Sequence, residues 1–176
     1  MTQVLEVSGM SVSFPRRSGL LGRSQPLRVV ENVSLAVGKG EVVALVGESG
    51  SGKSTIARAI LRLLPIDEGR ITLNGTDITT LSQRALRPHR RNAQLVFQDP
   101  YSSLNPRVRA GAIVREPMDL MDVGEKSERK DRVAELFRQV GLRPEQQALF
   151  PHQFSGGQRQ RIGVARALAS QPDLVV

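Results

Sequence analysis

The segment Gly47-Glu48-Ser49-Gly50-Ser51-Gly52-Lys53-Ser54 obeys the pattern G-x-x-x-x-G-K-[ST] and follows the unbroken apolar run Val42-Val43-Ala44-Leu45-Val46. No other feature constrains the fold as tightly. A run that is apolar at every position reads as a strand buried on both faces. A glycine-rich turn leading from such a strand into a helix reads as a phosphate-binding loop. Its glycines let successive backbone N–H groups converge on one anion, and the start of the next helix adds partial positive charge. Lys53 is expected to reach the β- and γ-phosphates of a bound nucleotide, and the Ser54 hydroxyl to ligate magnesium.

The rest of the chain supplies an α/β set of elements around that loop. Val4-Leu5-Glu6-Val7, Ser11-Val12-Ser13-Phe14 and Val33-Ser34-Leu35-Ala36-Val37 read as short strands, with Val37-Gly38-Lys39-Gly40-Glu41 as a turn. Between Phe14 and Glu31 lie four arginines and no acidic residue, the composition of a solvated loop. Ile56, Ala57, Ile60, Leu63 and Leu64 fall at helical spacing, so a helix is expected from Ser54 to Leu64, closed by Pro65. Arg70-Ile71-Thr72-Leu73 before Asn74-Gly75 predicts a strand ending in a tight hairpin. Ala93-Gln94-Leu95-Val96-Phe97 reads as another buried strand, ending at Gln98. Farther on, Val133, Leu136, Phe137 and Val140 form a helical apolar stripe, Glu128 and Arg132 are spaced to pair, and Gly141 stands where a C-cap belongs. A second helix is expected from Ser155, its N-cap, to about Ala169, and the paired Gly156-Gly157 lets backbone amides approach another group closely.

Composition excludes several classes. With 176 residues the chain is sized for one domain with a real core. Zero cysteines rule out a disulfide scaffold and a thiolate metal site. His89 and His152 lie far apart, so neither a zinc site nor a nucleophilic triad is in view. No apolar run approaches the roughly 20 residues of a membrane span, and the first residues lack the pattern of a secretory signal; a cytosolic chain that does not itself enter a membrane is expected. The net charge of +8 invites a nucleic-acid reading. With only 3% aromatics no stacking platform is visible, and no nucleic-acid partner is expected.

A hydrolytic phosphate-loop enzyme also needs a carboxylate at the end of a neighbouring strand to hold magnesium. Leu174-Val175-Val176 reads as the opening of such a strand, with no acid after it; Asp173 precedes the run and reads as a turn residue after Pro172. The expectation is one incomplete domain over 1–176, inactive alone and poorly soluble, because a missing central strand would expose its neighbours.

Four motifs in order make the chain resemble the ATP-binding subunit of ABC transporters over essentially its whole length. Gly47–Ser54 is similar to the family's Walker A, Gln98 stands at its Q-loop position, Ser155-Gly156-Gly157-Gln158 resembles its signature sequence, and Leu174-Val175-Val176 resembles the start of its Walker B strand. The stretches Val96-Phe97-Gln98-Asp99-Pro100-Tyr101-Ser102-Ser103-Leu104-Asn105-Pro106-Arg107 and Pro151-His152-Gln153-Phe154-Ser155-Gly156-Gly157-Gln158-Arg159-Gln160-Arg161-Ile162 look like the subfamily that energises import of dipeptides, oligopeptides, opines and nickel. The resemblance implies a P-loop α/β fold with an N-terminal antiparallel β-subdomain and a helical subdomain at about 102–154. It implies ATP and Mg2+ as cofactors. Phe14 would stack on adenine, with Val29 as an alternative contact. Gly47, Glu48, Ser49, Gly50, Ser51, Gly52, Lys53, Ser54 and Thr55 would wrap the phosphates, and Ser54 and Gln98 would serve the magnesium, Gln98 also sensing the attacking water. Ser155, Gly156, Gly157 and Gln158 would close in trans over ATP on a second ATPase subunit, arranged head to tail. Implied partners are that subunit, two transmembrane permease subunits and a periplasmic or extracellular solute-binding protein, at the cytoplasmic face of the membrane. The alternatives are a nucleotide-binding module without hydrolysis and a soluble ABC ATPase acting on DNA or ribosomes; the latter would carry zinc ligands, coiled-coil insertions or a second P-loop, and the sequence shows none.

Overall fold

A computed structural model describes residues 2–15, 26–99, 101 and 103–176. The described chain divides into two compact units, 1–89 and 90–176, each built around its own core.

The first unit is organised by a four-stranded antiparallel sheet in the order β2-β1-β3-β4. Here β1 is Gln3–Pro15, β2 is Pro26–Gly38, β3 is Glu68–Leu73 and β4 is Thr76–Asp77. The three short strands expected near the N-terminus are therefore two long ones; most of the arginine-containing segment that joins them, residues 16–25, lies outside the described residues. They stay continuous because bulges absorb their breaks in alternation. The register between β1 and β2 shifts between Val7 and Met10, where Gly9 takes φ +60 and its N–H donates to Ser34 Oγ at 2.9 Å. Asn32 N–H donates to the buried Ser11 Oγ at 3.1 Å on the same edge. Gly69 faces this bulge from β3: a Cβ there would lie 2.6 Å from the backbone of Gly9 and Ser8, so only glycine lets the strands come this close. Asn74 and Gly75, both at positive φ (49 and 75), make the expected two-residue hairpin between β3 and β4.

Leu5, Val7, Met10, Val12, Val30, Ile71 and Leu73 of the sheet are buried, as are Ala59 and Ile60 of α1 (Lys53–Ile60), which packs on β1 and β2, and Leu86 of α2 (Gln83–Arg90). Helix α1 is shorter than the apolar spacing predicts. Arg62 enters the left-handed region at φ 52, and Leu63 N–H bonds to Arg58 O while Arg62 N–H bonds to Ala59 O, the paired bonds of a Schellman stop.

The expected strand Val42–Val46 does not join a β-ladder among the described residues. It is bare, with Val42 94% and Val46 92% exposed. A run apolar on both faces needs ladder partners on both sides and cover above and below, and among the described residues it has no ladder partner.

The second unit is helical. It contains α3 (Ala110–Leu120), α4 (Arg129–Gln139), two short 3-10 turns at Pro144–Ala148 and Pro151–Gln153, and α5 (Gly156–Ala169). Their core comprises Ile113, Val114 and Met118 of α3, Val133, Leu136 and Phe137 of α4, and Ile162, Ala165 and Ala169 of α5, with Leu104 and Phe154 from the connections. The stripe read from sequence is thus core. Gly141 ends α4 at φ 71, Leu142 N–H bonding to Phe137 O and Gly141 N–H to Arg138 O, so the C-cap stands where expected. The expected Glu128–Arg132 pair is not formed: Glu128 is the N-cap residue, outside the helix, and Arg132 instead reaches Glu135 at 2.6 Å.

Arg129 locks α4 to the end of α3. Its guanidinium is almost fully buried, donating to Asp119 at 2.9 Å, Asp122 at 2.8 Å and the carbonyls of Val123 and Gly124 at 3.1 Å. The hydrogen bonds to Asp122 and Asp119 raise the Arg129 pKa, and the Arg129 bond holds the Asp119 carboxyl below its ordinary value. The strand expected over Ala93–Phe97 contracts to β5 (Ala93–Gln94), which pairs in parallel with β6 (Leu174–Val175). The C-terminal run is therefore a strand, as its composition predicts, and Val96 N–H extends the pairing to Val176 O at 2.9 Å.

Candidate functional site

The phosphate loop lies in the first unit. Gly50 and Gly52 sit at φ +87 and +89, the left-handed conformation that side chains disfavour, and Gly52 is the N-cap of α1. Each glycine answers a different need. A Cβ on Gly47 would stand 2.7 Å from Ser51 Oγ, one on Gly52 would face Val29 O at 3.2 Å, and one on Gly50 would meet nothing within 4 Å. The Lys53 ammonium folds back over the loop, donating to Gly47 O at 2.8 Å, Glu48 O at 2.6 Å and Ser51 Oγ at 3.3 Å. This places one positive charge at the centre of the turn, beside a helix whose first turn carries no acidic residue. Glu48, Ser49, Ser51 and Ser54 are exposed and Thr55 half-buried, so the loop presents its polar atoms outward.

Val29 and Phe14 occupy neighbouring strands of the same unit. The Val29 carbonyl and side chain are what Gly52 packs against. Phe14 pairs across the sheet with Leu27 and keeps 37% of its surface exposed.

Gln98 and the Ser155–Gln158 segment lie in the second unit, and the structure ties their surroundings together. Ser155 caps α5: its Oγ accepts from Gln158 N–H at 3.3 Å while Gln158 Oε1 accepts from Ser155 N–H at 3.0 Å, a closed capping box. No acid stands in the first turn of this helix either. Gly157 has open space around its missing Cβ and an ordinary φ, so neither packing nor backbone conformation within the chain calls for glycine there. Gln98 itself is exposed, just beyond the β5 segment. On its flanks, Phe97 O accepts from Gln160 Nε2 at 3.4 Å, the Tyr101 ring lies 4.2 Å beneath the Arg159 guanidinium, and Ser103 O accepts from Arg166 Nη1 at 2.8 Å. Arg159 is held in turn by its Nε bond to Pro151 O at 2.8 Å. Burial pulls the Arg166 guanidinium pKa down against the opposing charge of Glu116. Tyr101, Arg159 and Gln160 stand in the stretches that carry the subfamily resemblance, but nothing in the sequence pairs them or points to Arg166, because pairings between distant segments leave no periodic or spacing signal.

The donor set can be tested against the groups the resemblance implies. A polyanion suits Lys53, the left-handed glycines and the acid-free helix start. For Mg2+ the first unit offers one neutral oxygen beside the loop, the Ser54 hydroxyl, and among the described residues no cluster of three or more His, Cys, Asp or Glu could hold a metal. Such a donor suits a magnesium ion that arrives on nucleotide phosphates, since Mg2+ keeps several waters and shares its coordination with substrate.

Comparison with known proteins gives a consistent result. The ABC transporter family profile matches residues 30–176. The glutathione import ATP-binding protein GsiA of Salmonella choleraesuis (strain SC-B67) is 49% identical over 174 residues, covering 98% of this chain and 28% of that protein. A Brucella ovis protein named for peptide import and ATP binding is 45% identical over 175 residues, covering 99% of this chain and 53% of its own length. The chain thus spans about half or less of the length of these curated relatives. Among solved structures, the ATP-binding cassette MJ0796 in a dimeric post-hydrolysis state bound to ADP and Pi superposes with a TM-score of 0.84 at 29% identity, covering 97% of this chain and 72% of that one. The same cassette in a second dimeric structure agrees equally well, with a TM-score of 0.84. The α/β P-loop fold with its antiparallel and helical parts is therefore the fold of an ATP-binding cassette, and the chain belongs to the ABC transporter family as a member of its ATP-binding type.

Proposed function

We propose that this chain is the nucleotide-binding part of an importer subunit that couples ATP binding and hydrolysis to uptake of peptides, or of nickel- or opine-type solutes. The observation that carries the reading is Gly157: an exposed helical glycine, unneeded by its own fold, at a capped and acid-free helix start in a chain that also holds a phosphate loop. Such a glycine fits close approach by a group from outside the chain, here the triphosphate held by a second, head-to-tail subunit. The solute class rests on the relatives named for glutathione and peptide import.

In this reading Lys53 exchanges the Gly47 and Glu48 carbonyls for β- and γ-phosphate oxygens, and the amides of 48–55 complete the cradle. Phe14 or Val29 packs on the adenine ring. Bound Mg2+ would neutralise phosphate charge, with Ser54 and Gln98 as the chain's own oxygens toward it. Gln98 orients the attacking water, while Ser155, Gly156, Gly157 and Gln158 close over the partner's nucleotide and stabilise charge developing on the γ-phosphate. The helices between 102 and 154 form the surface toward two permease subunits, which receive solute from a binding protein. No described helix is long and apolar enough to cross a membrane, which fits a peripheral place at the cytoplasmic face.

Lys53→Ala in the full-length subunit tests the reading. Loss of its charge-assisted hydrogen bonds, worth about 1.5–3 kcal/mol, should weaken binding of a fluorescent ATP analogue about ten- to hundredfold and stop uptake of labelled dipeptide by cells. Unchanged analogue affinity would refute the phosphate-loop role. Undiminished uptake of dipeptide, opine and nickel in cells lacking the gene would refute the import role.

A further inference from the structure

We infer that Tyr101 and Arg159 are positioning residues that couple the segment around Gln98 to the Ser155-capped start of α5. The inference deepens the nucleotide-driven reading above and rests on it.

The described residues that follow β5 are fastened to one helix at two levels, its first turn and a point two turns on. Phe97 O, immediately before Gln98, accepts from Gln160 at 3.4 Å. Asp99 Oδ1, immediately after it, accepts from Tyr101 N–H at 2.8 Å. The Arg159 guanidinium lies 4.2 Å over the Tyr101 ring, and the Tyr101 hydroxyl stands 3.7 Å from where a Gly156 Cβ would be. Ser103 O is held by Arg166 at 2.8 Å two turns farther along.

The middle contact differs in kind from the other two. Phe97 and Ser103 offer backbone carbonyls, which any residue supplies; Tyr101 offers a π-face, which only an aromatic can. Tyr101 is 66% exposed, so burial contributes little and the cation–π contact is its main tie to the helix. Arg159 donates through Nε to Pro151 O at 2.8 Å, four residues before the capping Ser155. A shift of Gln98 is thereby conveyed through Tyr101 and Arg159 to the first turn of α5, and a partner's nucleotide pressing on Gly156 and Gly157 is conveyed the other way. Neither residue touches nucleotide in this scheme; each acts by keeping Gln98 and the Ser155 turn in register.

The test compares wild type, Tyr101→Leu, Tyr101→Phe, Arg159→Gln and the Tyr101→Leu/Arg159→Gln double variant in the full-length subunit assembled with its transporter. Tyr101→Leu and Arg159→Gln should lower ATPase kcat about two- to fivefold, the range an exposed cation–π contact supports, with KM for ATP unchanged. Tyr101→Phe should turn over at the wild-type rate, and the double variant should be no slower than the slower single variant. A full rate in Tyr101→Leu, a slow Tyr101→Phe, or losses that multiply in the double variant would overturn the inference. An inactive wild type would instead refute the nucleotide-driven reading, and amide hydrogen exchange over 158–162 then decides the coupling: exchange accelerated by Tyr101→Leu but not by Tyr101→Phe supports it, and identical exchange in all three overturns it.

Discussion

Gly157→Ala separates what this fold needs from what the family's chemistry needs. Gly157 is the second residue of α5, after the capping Ser155, with ordinary backbone angles and nothing within 4 Å of an added Cβ. Alanine is favoured over glycine in a helix by about 0.8–1.0 kcal/mol, partly because glycine loses more backbone freedom on folding. The substitution introduces no clash and disturbs neither bond of the capping box, which involve Ser155 and Gln158. Stability should therefore rise by up to about 1 kcal/mol, or roughly 2–4 °C in Tm for a domain of this size. The methyl group would nonetheless stand where a partner's phosphates must approach, so nucleotide-dependent dimerisation and ATPase turnover should fall. The assay is a thermal melt of the full-length subunit beside size-exclusion chromatography with ATP and a phosphate-release measurement. A variant that is both more stable and fully active would refute the argument that this glycine serves a partner. A variant that is less stable would refute the reading of open space around it.

Two further substitutions address the second unit's core. Phe137 is fully buried between α3, α4 and α5, so Phe137→Ala should cost about 3–5 kcal/mol by lost transfer energy and cavity formation, read as a fall in denaturant midpoint; a loss under about 1 kcal/mol would mean that the helices repack without it. The Asp119 carboxyl is held below its ordinary value first by the Arg129 hydrogen bond, then by Arg115. Its folded-state pKa lies below the unfolded value of about 3.9, so its stabilising effect is complete above that pH and is lost as pH falls from there through the depressed value. Asp119→Asn should therefore be less stable than wild type at neutral pH, with the difference shrinking below about pH 4; a difference that persists unchanged into acid would show that the pair contributes through packing alone.

Local chemistry made much of this molecule legible. Asn74-Gly75, Ser155 and Gly141 each act through the conformation or hydrogen bonds of their own few residues, so the hairpin, the N-cap and the C-cap fall where the sequence puts them. The same holds for the phosphate loop, whose pattern encodes its own turn. Where a feature depends on what lies across the fold, the local signal misled. Glu128 and Arg132 have pairing spacing, but α4 begins after Glu128 and Arg132 turns to Glu135. Apolar runs at 93–97 and 42–46 announce strands without saying what pairs with them. The first keeps two ladder residues beside Leu174 and Val175, and the second keeps none among the described residues.

The amino-acid order alone thus determined the phosphate loop, the helix caps, the turns and the family to which they point, because each of those is written in contiguous residues whose backbone preferences and side-chain hydrogen bonds act over one or two turns. Tertiary structure alone decided that Val29 backs Gly52, that Gly69 must yield to the Gly9 bulge, that Arg129 gathers Asp119 and Asp122, and that Tyr101 lies under Arg159. Those contacts join different elements, most of them far apart along the chain, and their geometry exists only once strands have taken a register and helices a packing angle, which no single segment's preferences contain.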